Sequence, residues 1–303
     1  MDYDIIGDVH GHADELEVLL QKLGYQLQSG IYHPPKGRQA VFLGDFIDRG
    51  TKIRETLHIV KNMCDQGNAF AIMGNHEFNA VCFHTPKKGK GGFFREHGFK
   101  EIKQHYATLE QFSKFPDEWN MFLDWFRHLP LYLNFNNFRV VHACWDDMHI
   151  DWLKKNNYND NGLTTDFLSR ATTKNTEEYH LIEDMLKGIE VELPPGVLFN
   201  DKDGNHRTKC RLKWWQPENK RETNKDALLF CPTRIEDQPY TKNGYVYNSD
   251  KPVFFGHYWF KVDPTIENQK CICLDYSVAK GGKLVAFKSE YLKSNNPEDG
   301  IVY

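Results

Sequence analysis

Apolar residues along the first third of the chain fall into short runs of two different periods, each closed by a polar cluster. Residues 3–7 predict a short strand that ends at Asp8. Leu16, Leu19, Leu20 and Leu23 recur at the spacing of one helical face, so residues 13–23 predict an amphipathic helix with Gly24 as its stop. Residues 40–43 predict a second buried strand ending at Gly44-Asp45, residues 53–63 a second helix, and residues 70–73 a third strand ending at Gly74-Asn75. Strand, helix, strand, helix, strand implies an α/β fold with parallel strands and crossover helices. Ligands bind such sheets beyond the carboxyl ends of the strands, where all three polar clusters sit.

The pattern then loosens. The basic run 87–92 reads as a solvated turn, and aromatic-rich helical segments follow to about residue 128. Residues 131–135 and 138–142, separated by Asn136-Asn137, predict a hairpin. From about 146 to 247 the chain turns polar, with Trp214-Trp215 as its most apolar point. This stretch is expected to be an insertion or cap within a single domain that spans 1–303. Strand character resumes at 252–256, 270–274 and 283–288.

Composition narrows the function. The chain has 303 residues, 40% hydrophobic and 26% charged, which is ordinary for a globular protein with a sizeable core. A formal net charge of -4 argues against a nucleic-acid partner, which needs a concentrated basic surface, but leaves phosphate substrates open. Seven cysteines without CxxC spacing read as buried reduced thiols; Cys271 and Cys273 would share one face of a strand. No run approaches the ~20 apolar residues of a membrane helix. The first strand begins almost at the first residue, leaving no room for a signal peptide, so a cytoplasmic location without a membrane partner is expected.

The chemistry lies at the strand ends. Asp8 and His10 stand two residues apart, where extended backbone points side chains the same way. Asp45 and Asn75 end the next two strands, and His142 and His257 follow the apolar runs 139–141 and 253–256. Six oxygen and nitrogen donors thus converge from five strand ends. With no thiolate among them, the set suits manganese, iron, zinc, cobalt or nickel.

Together, Asp8-Val9-His10, the run from Gly44 to Gly50 (Gly-Asp-Phe-Ile-Asp-Arg-Gly), Gly74-Asn75-His76-Glu77 and the two later histidines resemble the calcineurin-like metallophosphoesterase superfamily, in its phosphoprotein-phosphatase branch. That resemblance covers residue 8 to about 288, with a gap in the middle. It implies a central β-sandwich of mixed sheets flanked by helices, with the metal site at the carboxyl ends of strands. It also implies two divalent ions, manganese foremost. Asp8, His10 and His257 would hold one ion, Asn75 and His142 the other, with Asp45 and a hydroxide bridging them. Arg49 would bind phosphate oxygens together with Asn75 and His76, and His76 would serve the leaving oxygen with Asp48 holding its ring. A second phosphate-binding arginine is expected among Arg95, Arg170, Arg207, Arg211 and Arg234; Arg211, just before the tryptophan pair, is the choice.

Departures from the branch narrow the expectation further. Ala143-Cys144 follows His142 where eukaryotic protein phosphatases carry paired glycines, and the tail around Asp275 lacks their Ser-Ala-Pro-Asn-Tyr signature. The chain looks closer to bacterial diadenosine-tetraphosphate hydrolases and small protein-phosphatase-like enzymes. A phosphomonoesterase acting on a phosphoprotein or nucleotide is therefore expected, with a dinucleoside polyphosphate hydrolase as the alternative. A nucleic-acid phosphodiesterase and a non-catalytic module are weaker readings. Among the remaining features, Asp201-Lys202-Asp203-Gly204 reads as a turn, Trp214-Trp215 as a buried anchor before a base-stacking surface, and His12 and His84 as neighbours of the ligand motifs.

Overall fold

Five short strands, Ile301–Val302, Ala286–Lys288, Asp2–Ile6, Arg38–Phe42 and Ala69–Ala71, lie side by side in that order in the computed structural model, which describes residues 1–89, 91–200, 206–241 and 244–303. The last three run parallel, and Ile6 pairs with Phe42 as Phe42 pairs with Ala71, so their carboxyl ends finish at one level. A second sheet orders Cys271–Cys273, Val253–Phe255, Arg139–Val141 and Tyr132–Asn134, with the first three parallel and the hairpin antiparallel.

The strands read as continuous apolar runs because both faces are covered. Ile5, Val41, Leu43 and Ile72 of the first sheet meet Phe138, Val140, Phe254 and Ile272 of the second in one buried layer. Their alternate neighbours Ile6, Phe42, Val141, Val253 and Phe255 belong to a second, larger layer with the helices. This is the expected mixed-sheet sandwich flanked by helices.

Helix α1 (Ala13–Lys22) buries Leu16, Leu19 and Leu20, and α2 (Ile53–Asp65) buries Leu57, Val60 and Met63, as their spacing predicts. Helix α3 (Asn75–His84) starts directly at the third motif, and α4 (Phe99–Phe112) and α5 (Pro116–Arg127) account for the aromatic-rich segment. The 283–288 strand is broken at Val285 into Lys283–Leu284 and Ala286–Lys288, which pair with different partners.

The polar middle carries helices that the sequence reading passed over: Asp147–Lys155, Thr165–Ala171 and Glu177–Lys187. Each starts at a side-chain cap, Asp146, Thr164 and Thr176, which accepts an N–H two or three residues on. Leu181, Ile182, Met185 and Leu186 are buried in the same layer as the sandwich strands. Three short strands follow, ordered Leu228–Leu229, Lys209–Leu212 and Glu190–Glu192. Trp214 and Trp215 are both buried, and Trp214 donates to the Ala143 carbonyl at 2.9 Å and packs at a tilt against Phe255, 4.8 Å between ring centroids. They anchor this segment and offer no base-stacking surface. The candidate turn Asp201-Lys202-Asp203-Gly204 lies outside the described residues, as does Lys90 of the basic loop; Lys87 in that loop pairs with Glu96 at 2.8 Å.

Candidate metal centre

Turns after five parallel strands converge on Asp45. Its Oδ2 stands 3.4 Å from His10 Nε2 and 3.9 Å from His76 Nε2, while Oδ1 stands 3.4 Å from His142 Nε2. The two oxygens of one buried carboxylate therefore face two separate donor groups: His10, Asp45 and His76 on one side, Asp45, His142 and His257 on the other.

The imidazoles are pre-oriented. His10 Nδ1 donates to the Ile47 carbonyl at 2.9 Å and His142 Nδ1 to the Leu43 carbonyl at 2.7 Å, which turns each Nε2 towards the centre. Among the described residues, Asp8 Oδ1, His10 Nε2 and His257 Nε2 are buried without a hydrogen-bond partner. Buried lone pairs facing neighbouring oxygens are costly unless a cation lies between them. The donor set fits a pair of divalent ions on that ground.

The structure groups one expected donor differently. His257 Nδ1 lies 2.7 Å from Asn75 Oδ1, and its ring belongs with His142 and Asn75 rather than with Asp8 and His10. The cause is the backbone: His257 takes φ 73° and gives its N–H to Asp8 Oδ2 at 3.0 Å, so only the main chain faces Asp8. The preceding Gly256 makes this approach possible, since a Cβ there would fall 1.9 Å from Asp8 Oδ1. Gly74 does the same for Asp45, whose Oδ1 would lie 2.2 Å from an added Cβ. His10, Asp45, Asp48, Arg49, His257 and Trp259 all adopt left-handed φ values. Such backbone costs of order 1–3 kcal/mol per residue and persists where the surroundings over-determine it.

Charge is as concentrated as geometry. Burial, then the nearby carboxylates Asp275 and Asp45, push Asp8 well above the carboxylate range. Burial pushes His10 down to about 3. At His142 burial is outweighed by Asp45, which holds a second proton on the ring up to about 10. A bound cation would take over the role of that proton.

Asp48 is the hub of the neighbouring arrangement. Its Oδ2 receives His76 Nδ1, and its Oδ1 receives His105 Nδ1 at 2.8 Å and Thr108 Oγ1 at 2.6 Å. Burial raises its carboxyl, but the bonds from His105 and His76 outweigh this and hold it far below the usual range. Arg49 is exposed beside it, with its guanidinium 5.6 Å from the Trp259 ring centroid.

Asp48, Arg49, Asn75, His76 and His257 line a cleft of about 840 Å³. Arg211 lines it too, and among the described residues its buried Nε has no partner. Its charge, after burial, depresses the His257 imidazole. The other candidates are engaged: Arg95 with Asn79 and Gln104, Arg207 with Glu190, Arg170 with Glu178, and Arg234 with the Gly196 and Leu198 carbonyls. Of the two histidines placed near the motifs, His12 pairs with Glu15 at 3.6 Å, whereas His84 stands 3.3 Å from His105.

Four site residues escaped the sequence reading. Glu77 accepts backbone N–H groups from Asp45, Phe46 and Gly74. His105 and Thr108 hold Asp48, and Asp275 accepts the Trp259 N–H at 2.7 Å. Glu77 sits inside the quoted third motif and could have been read as a turn clamp. His105 and Thr108 share the i, i+3 spacing of a helical face, but nothing local says what that face meets.

The profile of the calcineurin-like phosphoesterase family matches residues 1–263. The bis(5'-nucleosyl)-tetraphosphatase PrpE [asymmetrical] of Oceanobacillus iheyensis is 36% identical over 143 residues, covering 47% of this chain and 55% of that protein. The protein of the same description from Bacillus subtilis is 35% identical over 148 residues, covering 47% of this chain and 57% of its own. The chain thus spans about half the length of the curated relatives it matches. Among solved structures, a cold-active protein-tyrosine phosphatase of a psychrophilic Shewanella species is 14% identical with a TM-score of 0.47, over 95% of this chain and 74% of that one.

Proposed function

The chain belongs to the calcineurin-like phosphoesterase family, and we propose that it hydrolyses phosphoesters at the centre built on Asp45. The observation that carries this reading is the Asp45 carboxylate, which turns one oxygen to His10 and the other to His142. Asp8 and His10 would complete the donors of one cation, and Asn75, His142 and His257 those of the other. When bound, two such ions supply a hydroxide nucleophile at neutral pH and offset charge on the phosphoryl oxygens. Manganese is the proposed ion in vitro; iron, zinc, cobalt and nickel accept the same donors.

The protein's own groups divide the remaining work. His76, its ring held through Nδ1 by Asp48, presents Nε2 to the leaving oxygen and donates a proton there. Arg49 and Arg211 bind the non-bridging phosphoryl oxygens, with the Asn75 amide and His76 beside them. Residues 146–247 act as a cap whose Lys209–Leu212 strand supplies Arg211.

The leading substrate class is a phosphomonoester on a large leaving group, such as a phosphoprotein or a nucleotide. A cleft of about 840 Å³ holds far more than one phosphoryl group. A dinucleoside polyphosphate is the second reading, favoured by the names of the relatives and by the cations Arg207, Lys209, Lys261 and Lys280 along the cleft. A cytoplasmic setting is proposed from the seven free cysteines; no helix among the described residues is long and apolar enough to cross a membrane.

Parallel assays with p-nitrophenyl phosphate, a phosphopeptide and diadenosine tetraphosphate, in manganese and after chelation, test this reading. Turnover of at least one substrate that disappears with the metal is expected. Equal activity in the metal-stripped protein would overturn it.

A further inference from the structure

Helix α4 lays a single stripe of polar side chains along the loop that carries Asp48 and Arg49. His105, Thr108 and Gln111 recur every three residues on that helix, which places them on one face. Gln111 accepts the Ile53 N–H at 2.7 Å and donates to the Gly50 carbonyl at 3.1 Å. Thr108 Oγ1 accepts the Asp48 N–H at 3.1 Å while donating to its carboxylate. The stripe clamps the loop at both ends, and His105 is the member that reaches the Asp48 side chain.

His105 is itself held from behind. A carboxylate only accepts, so the proton shared with Asp48 sits on His105 Nδ1. Its Nε2 lies 3.3 Å from His84 Nε2, and the His84 ring is fixed in turn by the Trp119 indole N–H, which donates to that Nε2 at 3.1 Å. Phe83 and Trp119 pack against the ring at 5.3 and 5.8 Å between centroids. The imidazole is thus fixed in plane and in rotamer, and Asp48 cannot turn its oxygens without breaking bonds on both sides.

We propose that His105 is a positioning residue for leaving-group protonation: it acts on His76 through Asp48, setting the angle and hydrogen-bonding strength of the carboxylate that holds the His76 ring. This rests on the reading of His76 as the acid. Only substrates whose leaving group needs a proton should feel the loss of His105, because Asp45 and the other donors do not touch it.

The test uses the manganese-loaded protein and a series of phosphomonoesters running from p-nitrophenyl to alkyl leaving groups. General acid catalysis is worth roughly a hundredfold or more, so His105→Ala should lose at least about tenfold more kcat on alkyl than on p-nitrophenyl phosphate. Metal content and KM should stay near wild type. His105→Asn, whose amide N–H can replace the Nδ1–H donor, should recover most of the loss. A uniform loss across the series, or none, overturns the inference. His76→Ala run alongside separates the two claims: bias in that variant without bias in His105→Ala sinks the role of His105 alone, while no bias in His76→Ala sinks the reading of the acid itself.

Discussion

Glu77 accepts the backbone N–H of Asp45 at 2.8 Å, joining the acidic end of the third motif to the turn that carries the central carboxylate. The same side chain takes the Phe46 N–H at 2.8 Å and the Gly74 N–H at 3.0 Å, and it is fully buried. Glu77→Ala would strand these donors, at about 1–3 kcal/mol for each buried group left unsatisfied. Loss of stability by several such increments in urea denaturation is expected, together with loss of bound metal. A Glu77→Ala protein with wild-type stability and two ions would refute this role.

Asp45→Asn should empty the centre, because an amide nitrogen cannot ligate and only one oxygen remains for two cations. Metal content measured by emission spectroscopy should fall below one ion per chain. Turnover should drop by roughly a thousandfold or more, the scale of removing a preorganised charge from a reaction centre.

Metal loading should raise the thermal midpoint, and chelation should lower it. A ligand at one hundred times its Kd stabilises by about 2.7 kcal/mol. Asp45 holds a proton on His142 up to about 10, and a cation must displace it. Affinity should therefore weaken as pH falls, and calorimetry in buffers of different ionisation enthalpy should show proton release on binding. Uptake of protons would contradict the donor assignment.

Asp4 offers a pH signal remote from the centre. Burial raises its carboxyl to about 6, against the pull of Arg38 and the Tyr25 hydroxyl. The folded chain keeps a proton that the unfolded chain releases near 3.8, so this group's stabilisation is complete below that value and is lost as pH rises through about 6. The change amounts to at most about 3 kcal/mol. In Asp4→Asn the urea midpoint should lose that part of its slope; an unchanged slope would assign the pH dependence elsewhere.

Arg211→Ala should lower kcat/KM about ten- to a hundredfold, as expected for loss of a cation on the phosphoryl oxygens. Arg170→Ala, whose partner is the distant Glu178, should leave the kinetics unchanged. Equal effects of the two substitutions would remove Arg211 from the phosphate site.

Much of this was legible locally. Helix starts at Ala13 and Ile53, the placing of Asp8, Asp45 and Asn75 just beyond the strands that end at Ile6, Phe42 and Ala71, and the burial of Trp214-Trp215 all follow from apolar spacing and turn chemistry. The helices of 147–187 were legible too, in the caps Asp146, Thr164 and Thr176, but a polar composition masked their periodicity. His105 carried no local sign. Its partner lies 57 residues away, and a histidine on an amphipathic helix has no distinguishing spacing.

By itself the sequence determined which candidate donors exist and that they share one rim, because apolar runs specify strands and parallel strands end together. Only the tertiary structure decided how those side chains group. His257 joins Asn75 and His142 because a left-handed backbone spends its N–H on Asp8 and turns the ring away. Arg211 enters the cleft because its strand pairs with Glu190 and Leu229 above the centre. Both outcomes depend on backbone angles and on chain segments far apart in sequence, which residue spacing does not encode.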